Sequence, residues 1–146
     1  MQLYTAHEKS TSLDWRNVVQ QGETTTHLGP QAAHERALAE GRLMLQRCDD
    51  CARHVFPPRR LCPHCGGLNL AWVAADGCGT VHATTVVARP AKHGGPYGVV
   101  LVDLDEGVRM MSRVDELPPE DVRIGMRVKA RVLSSQEPPL VVFVPT

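Results

Sequence analysis

From residue 80 onward, apolar and polar positions alternate with the period of a strand. Val81, Ala83, Thr85 and Val87 fall on one side, and His82, Thr84 and Val86 on the other, the two-residue repeat of a pleated, half-buried strand. Further strands are predicted at residues 97–104, 108–114, 127–133 and 140–144. In the fourth, Val128, Ala130 and Val132 alternate with Arg127, Lys129 and Arg131. Asp105-Glu106-Gly107 suits a three-residue hairpin turn, with glycine where the backbone needs a positive φ. Leu117-Pro118-Pro119 interrupts the sheet between the third and fourth strands. Five short strands with that break predict a small barrel of the OB type, with a related five-stranded barrel as the rival.

Upstream the pattern changes. Residues 30–40 are alanine-rich and predict a helix, with Pro30 suited to its first position and Gly41 to its stop. Leu43-Met44-Leu45-Gln46-Arg47 alternates as a strand, His54-Val55-Phe56 continues it, and Leu68, Leu70 and Trp72 alternate as a third. Residues 1–29 are polar and carry neither period. They predict an extended arm in which Trp15 and Tyr4 stand out, either as part of a loose tail or as aromatics that anchor on a partner.

Composition narrows the class. The 146 residues hold 16 Lys plus Arg and 16 Asp plus Glu, and zero net charge argues against non-specific nucleic-acid binding, which relies on a positive field. The longest apolar runs, residues 99–102 and 140–144, fall far short of the about 20 residues that cross a bilayer. The first residues lack the apolar stretch of a secretory signal. A soluble, cytoplasmic protein without a membrane partner is expected.

The chemistry sits in the cysteines. Cys48, Cys51, Cys62 and Cys65 read C-x2-C-x10-C-x2-C. Where the redox poise disfavours disulfides, such paired motifs point to metal. Two thiolates two residues apart wrap one tight turn around an ion, and a second turn facing the first completes a tetrahedron of sulfur. Iron also accepts four thiolates, so zinc is the preferred ion rather than the only one. Four sulfurs leave no open position, which makes one structural Zn2+ per chain the expectation. His54 and His64 stand nearby and read as surface residues once four cysteines are in place. Ala52 follows the first pair where glycine would turn more easily. Cys78, the fifth cysteine, has no activating base in its pattern and reads as a small buried apolar residue. His34-Glu35 does not continue into a metalloprotease motif, because position 38 is leucine.

Taken together, the segments predict a mainly β chain. An arm (1–29) precedes a helix (30–42), a rubredoxin-like zinc ribbon (43–75) and a five-stranded OB-fold barrel (76–146). In this order, the sequence resembles the zinc-ribbon and OB-fold proteins that accompany thiolases, the family called domain of unknown function thirty-five. The resemblance rests on Gly41-Arg42-Leu43-Met44-Leu45-Gln46-Arg47-Cys48, Phe56-Pro57-Pro58-Arg59 and Cys62-Pro63-His64-Cys65-Gly66. It continues in Gly79-Thr80-Val81, Pro96-Tyr97, Val102-Asp103-Leu104-Asp105-Glu106-Gly107 and Ile124-Gly125-Met126-Arg127-Val128. It implies a non-catalytic, zinc-binding subunit that docks on a thiolase-fold enzyme and helps form its acyl-CoA channel, the partner holding the catalytic groups.

Several residues fit that role. Arg89 and Lys92, in the loop before Tyr97, are placed to meet CoA phosphates or to lie in a solvated loop. Phe56 and Arg59 flank a stiff Pro57-Pro58 turn suited to partner contact or to local packing. Tyr97 and Trp15 join them as CoA or partner contacts. Asp103, Asp105 and Glu106 resemble paired carboxylates for acid–base work, but a charged hairpin tip is the commoner reason for such a cluster. The alternative function is a single-stranded nucleic-acid-binding zinc-ribbon/OB protein. Against it, residues from Asp76 onward hold 8 Lys or Arg against 9 Asp or Glu, and their aromatics are Tyr97 and Phe143 alone, poor equipment for base stacking. A stand-alone enzyme finds no nucleophile elbow or phosphate loop.

Overall fold

The computed structural model describes residues 29–146; the predicted arm, with Trp15 and Tyr4, lies outside the described residues. The chain forms one helix and eight strands there, arranged as a small three-stranded sheet followed by a five-stranded one.

Helix α1 spans Pro30–Ala39. Its first proline lacks an N–H that no helical carbonyl could have met in any case, and Gly41 ends it at φ 76°. The Gly41 and Arg42 N–H groups donate back to the Leu38 and Ala37 carbonyls, closing the helix with a left-handed residue. One face, His34, Ala37 and Leu38, is buried.

Strands β1 (Met44–Cys48), β2 (His54–Val55) and β3 (Leu70–Ala74) pair antiparallel in the order β2-β1-β3. β1 is thus central and ends on the first cysteine. Phe56 and Leu68, both expected inside strands, lie just outside them. Leu68 is 72% exposed.

The second sheet has β4 (Cys78–Val87), β5 (Tyr97–Leu104), β6 (Arg109–Ser112), β7 (Arg127–Leu133) and β8 (Leu140–Pro145) in the order β6-β5-β4-β7-β8. A parallel bridge between Val114 and Phe143 joins its two ends. The Phe143 N–H donates to Arg113 and the Asp115 N–H donates to Phe143, so the sheet curls into the predicted barrel. β4 carries a register shift between Val81 and Ala83, the irregularity that lets a strand bend around a small barrel. The Leu117-Pro118-Pro119 break becomes a single 3-10 turn, Pro119–Asp121. It seats against Gly98, where an added Cβ would meet Pro119 at 3.2 Å.

Val81, Val100, Val102, Val128 and Phe143 fill the barrel, and Leu38 of α1 and Leu45 of β1 join the same cluster. Helix, ribbon and barrel therefore share one apolar core. The joint between ribbon and barrel is tied on both sides. The Ala75 N–H donates to Leu43, and the Gly77 carbonyl accepts from Ala130. Glu106, at the β5–β6 hairpin tip, accepts from the Gly77 N–H at 3.1 Å.

Candidate metal centre and its surroundings

Two backbone turns of the same shape bring the four cysteines together. The Ala52 N–H donates to the Cys48 carbonyl at 2.8 Å, and the Gly66 N–H donates to the Cys62 carbonyl at 2.9 Å. Residues 52 and 66 occupy equivalent corners with φ of 60° and 76°. The second is glycine; the first is an alanine held in the left-handed region that sterics disfavour. The four Sγ atoms lie within 4.8 Å of one another, with Cys48 3.6 Å from Cys65 and Cys51 3.7 Å from Cys62. A tetrahedron with Zn–S bonds of about 2.3 Å needs sulfurs about 3.8 Å apart, so this cage fits one zinc ion.

The thiols also need that ion electrically. Burial opposes ionisation of Cys62, but the backbone N–H groups of His64 and Cys65 outweigh it and bring its pKa down to about 7. At Cys65 the Gly67 N–H favours the thiolate, yet the adjoining Cys48 thiol, burial and the other two sulfurs hold the pKa up at about 12. One thiolate among four close sulfurs makes the next harder to form. A divalent cation resolves the conflict by stabilising all four together.

Cys48 and Cys62 are buried, Cys51 is half-buried and Cys65 is exposed. Around them, Arg53 reaches His64 at 3.4 Å, and His54 and His64 lie outside the cage, as expected. Gln46, buried at 4% exposure, clamps the turn before the second knuckle. Its amide nitrogen donates to the Arg59 carbonyl at 2.9 Å, and its oxygen accepts from the Arg59 N–H at 2.7 Å. Sequence reasoning did not single out Gln46; its one signal is a polar residue interrupting an apolar run beside the first cysteine.

The other candidates fall into two groups. Phe56 packs edge-on to the His34 ring, with centroids 5.7 Å apart, and His34 stacks on Trp72. Phe56, Pro57 and Pro58 line one wall of a groove of about 250 Å³ whose other walls include Met111 and Pro138. Arg59 follows, its backbone clamped and its side chain exposed. At the far end of β4, the Arg89 guanidinium lies 5.8 Å above the Tyr97 ring, and Lys92 sits exposed on the 3-10 turn Ala91–His93 between them.

Asp103 and Asp105 are spent on neighbours, whereas Glu106 accepts from the Gly77 N–H through Oε1 and keeps Oε2 buried without a partner among the described residues. Asp103 accepts from Arg109 at 2.6 Å and meets His82 at 3.1 Å, and Asp105 accepts from Arg127. Their arginine partners hold both aspartates below the usual carboxylate range, which suits ion pairs rather than proton transfer. Cys78 opens β4 beside Asp76, whose carboxylate, aided by burial, pushes the thiol pKa up, away from nucleophilic use. No helix among the described residues is long and apolar enough to cross a membrane.

Comparison with known proteins agrees with this architecture. Residues 36–71 match the model of the ChsH2 rubredoxin-like zinc ribbon domain, and residues 72–133 that of the ChsH2 C-terminal OB-fold domain. The chain is 37% identical over 94 residues to a probable enoyl-CoA hydratase alpha subunit of Thermomonospora curvata, covering 63% of this chain but 30% of that protein. It is 33% identical over 88 residues to a DUF35 domain-containing scaffold protein of Methanocaldococcus jannaschii, 58% of this chain and 62% of the relative. The chain thus spans under two thirds of these curated relatives. Among solved structures, a chain of the Ltp2-ChsH2(DUF35) aldolase superposes with a TM-score of 0.70 at 34% identity, over 80% of this chain and 94% of the other. A DUF35-family protein from Sulfolobus solfataricus shares the fold at a TM-score of 0.60 and 20% identity, over 92% and 98% of the two chains.

Proposed function

This chain belongs to the DUF35 family in its ChsH2 form, a zinc ribbon followed by an OB fold, and from that membership we propose that it is a non-catalytic subunit that docks on a thiolase-fold enzyme and helps shape its acyl-CoA channel. The observation that carries the proposal is the closed cage of four sulfurs. Cys48, Cys51, Cys62 and Cys65 fill a tetrahedral ion's coordination shell, leaving no position for water or substrate. The metal therefore works on the shape of the ribbon. The relatives' names point the same way: scaffold proteins, a hydratase alpha subunit, and an aldolase carrying a DUF35 chain.

The barrel's charges favour a protein partner over single-stranded nucleic acid. Arg109, Arg113, Arg127, Lys129 and Arg131 each pair with a carboxylate of the same chain. Tyr97, the exposed barrel aromatic, carries Arg89 above its ring. A strand-binding groove needs free cations and free aromatic faces.

Co-expression with thiolase-fold proteins of the same genome tests the proposal. A stable complex is expected, with acyl-CoA thioester turnover in the complex and none by this chain alone. Turnover by the isolated, zinc-loaded chain would overturn the proposal. So would salt-sensitive binding of a single-stranded oligonucleotide with no such complex formed.

A further inference from the structure

We propose that the second zinc knuckle, with the arginine turn before it, is the surface through which this chain docks its protein partner, and that the partner's matching face is apolar and rimmed with carboxylates. This inference rests on the subunit reading above and adds the contact surface and its chemistry.

Between Arg59 and Leu68 the chain runs Arg-Arg-Leu-Cys-Pro-His-Cys-Gly-Gly-Leu, and only Cys62 of this stretch is buried. The Cys62 N–H donates to the Gly67 carbonyl at 2.9 Å. Leu61 and Leu68 stand one residue outside that bond, on the two arms of the knuckle. They are 54% and 72% exposed. A fully buried leucine gains about 1.5–3 kcal/mol over an exposed one, and folding gives these two little of it. A partner's apolar face would supply the rest.

The charges beside them are uncompensated in the same way. Among the described residues, neither Arg59 nor Arg60 has a carboxylate partner, whereas the barrel's Arg109, Arg113, Arg127, Lys129 and Arg131 all do. Asp50, on the first knuckle, accepts from the Asn69 side-chain amide at 2.9 Å. An acidic face would complete both arginines. Residues 57–71 contain no Phe, Tyr or Trp, so the surface offers no platform for base stacking.

The surface is also held in place before binding. The Gln46 amide pins the Arg59 backbone from both sides, and Leu61 and Pro63 flank Cys62, one of the four cage cysteines. Arginine is among the residues that concentrate binding energy at interfaces, and here one of the two is held by a fixed backbone.

The test uses the complex obtained with the thiolase-fold subunit. Arg59→Glu/Arg60→Glu and Leu61→Ser/Leu68→Ser are each titrated against that subunit at low and high salt, with zinc content and melting temperature read on the same samples. The milder Arg59→Gln/Arg60→Gln pair covers the case in which charge reversal disturbs the ribbon. Each pair should weaken binding by about tenfold or more with zinc retained, and the arginine variants should lose most of the wild-type salt dependence. Unchanged affinity in either set overturns the inference, because leucine dependence alone removes the acidic chemistry and arginine dependence alone removes the apolar contact. Oligonucleotide binding that depends on Arg59 and Arg60 would overturn it too. Failure of the wild-type chain to form any complex counts against the subunit reading instead.

Discussion

The ribbon and the barrel solve the same problem by different means. The barrel has its own apolar interior, with Val81, Val100, Val102, Val128 and Phe143 all at or below 1% exposure, and it pairs Arg109, Arg113, Arg127, Lys129 and Arg131 with carboxylates of the same chain, leaving Arg89, Lys92 and Arg123 without one among the described residues. The knuckle end of the ribbon buries only Cys48, Val55 and Cys62, too little apolar area to hold a fold. It depends on an ion inside, and Arg59, Arg60, Leu61 and Leu68 are exposed on it, the two arginines without a carboxylate partner among the described residues. The barrel thus holds together mainly through its own core, which Leu38 and Leu45 join, while the ribbon requires zinc within and, by our inference, a protein without.

Removing a ligand should separate the two regions most sharply. Structural zinc contributes on the order of 10 kcal/mol to a domain of this kind. Cys62→Ser, or chelation of the wild type, should therefore unfold the knuckles. The barrel amides should keep their dispersion and slow hydrogen exchange in NMR spectra, since its core does not include the cysteines. A variant that stays metal-loaded with intact ribbon resonances would contradict the four-ligand cage. Simultaneous loss of the barrel would show that Leu38 and Leu45, which belong to the common core, couple the regions more tightly than the contrast allows.

The complementary experiment strikes the barrel. Phe143 is fully buried, and its backbone closes the barrel onto residues 113–115. Phe143→Ala should cost about 3–5 kcal/mol, the range for large cavities in apolar cores, read as a lower denaturation midpoint of the barrel. Zinc affinity should change little in the fraction that remains folded.

Much of this contrast was legible in the sequence because it rests on local rules. The two-residue alternation marked each barrel strand to within a few positions, and the C-x2-C pairs named the cage. The rest depends on contacts between distant residues. Nothing around Gln46 announces that its amide meets a backbone 13 residues away. Nothing in the strand pattern distinguishes Leu68, which is exposed, from Leu70, which is half-buried, because β3 starts one pleat later than the alternation suggests. Nor does the loop between Arg89 and Tyr97 announce that the guanidinium lies over the ring. The alternation of Arg127, Lys129 and Arg131 gave a face but not its partners, which are Asp105 on the hairpin, Asp76, Asp115 and Glu116.

A smaller effect should appear where helix and ribbon meet. His34 is buried at 5% exposure, its Nδ1–H donates to the Met44 carbonyl at 3.1 Å, and its ring stacks on Trp72. Burial lowers its pKa below the ordinary 6.5, so the unfolded chain binds the proton more readily than the folded one. By linkage, the contribution of neutral His34 is complete above about pH 6.5 and is lost progressively as the pH falls toward the depressed folded value. His34→Gln should flatten the stability profile between neutral and mildly acidic pH. The comparison is made against wild type at each pH, so that acid release of zinc, common to both proteins, cancels. Identical slopes would show that His34 is not protonated differently in the two states.

The smallest predicted change lies within the ribbon itself, between its two knuckles. Ala52 and Gly66 occupy the same corner of the same turn, yet only one is free of a Cβ. An L-residue in the left-handed region costs about 1–2 kcal/mol, and glycine returns about 0.4–1 kcal/mol of that as extra freedom in the unfolded chain. Ala52→Gly should therefore raise the stability of the zinc-loaded protein by up to about 1 kcal/mol. Gly66→Ala should lower it by a similar amount, because an added Cβ there meets nothing within 4 Å and the whole cost is backbone strain. Paired melts of the two variants, both zinc-saturated, read the strain directly. Opposite shifts of similar size would establish that the two turns are energetically interchangeable. Destabilisation by Ala52→Gly would mean that the first knuckle uses its alanine for packing, and that the near-symmetry of the cage stops at the backbone.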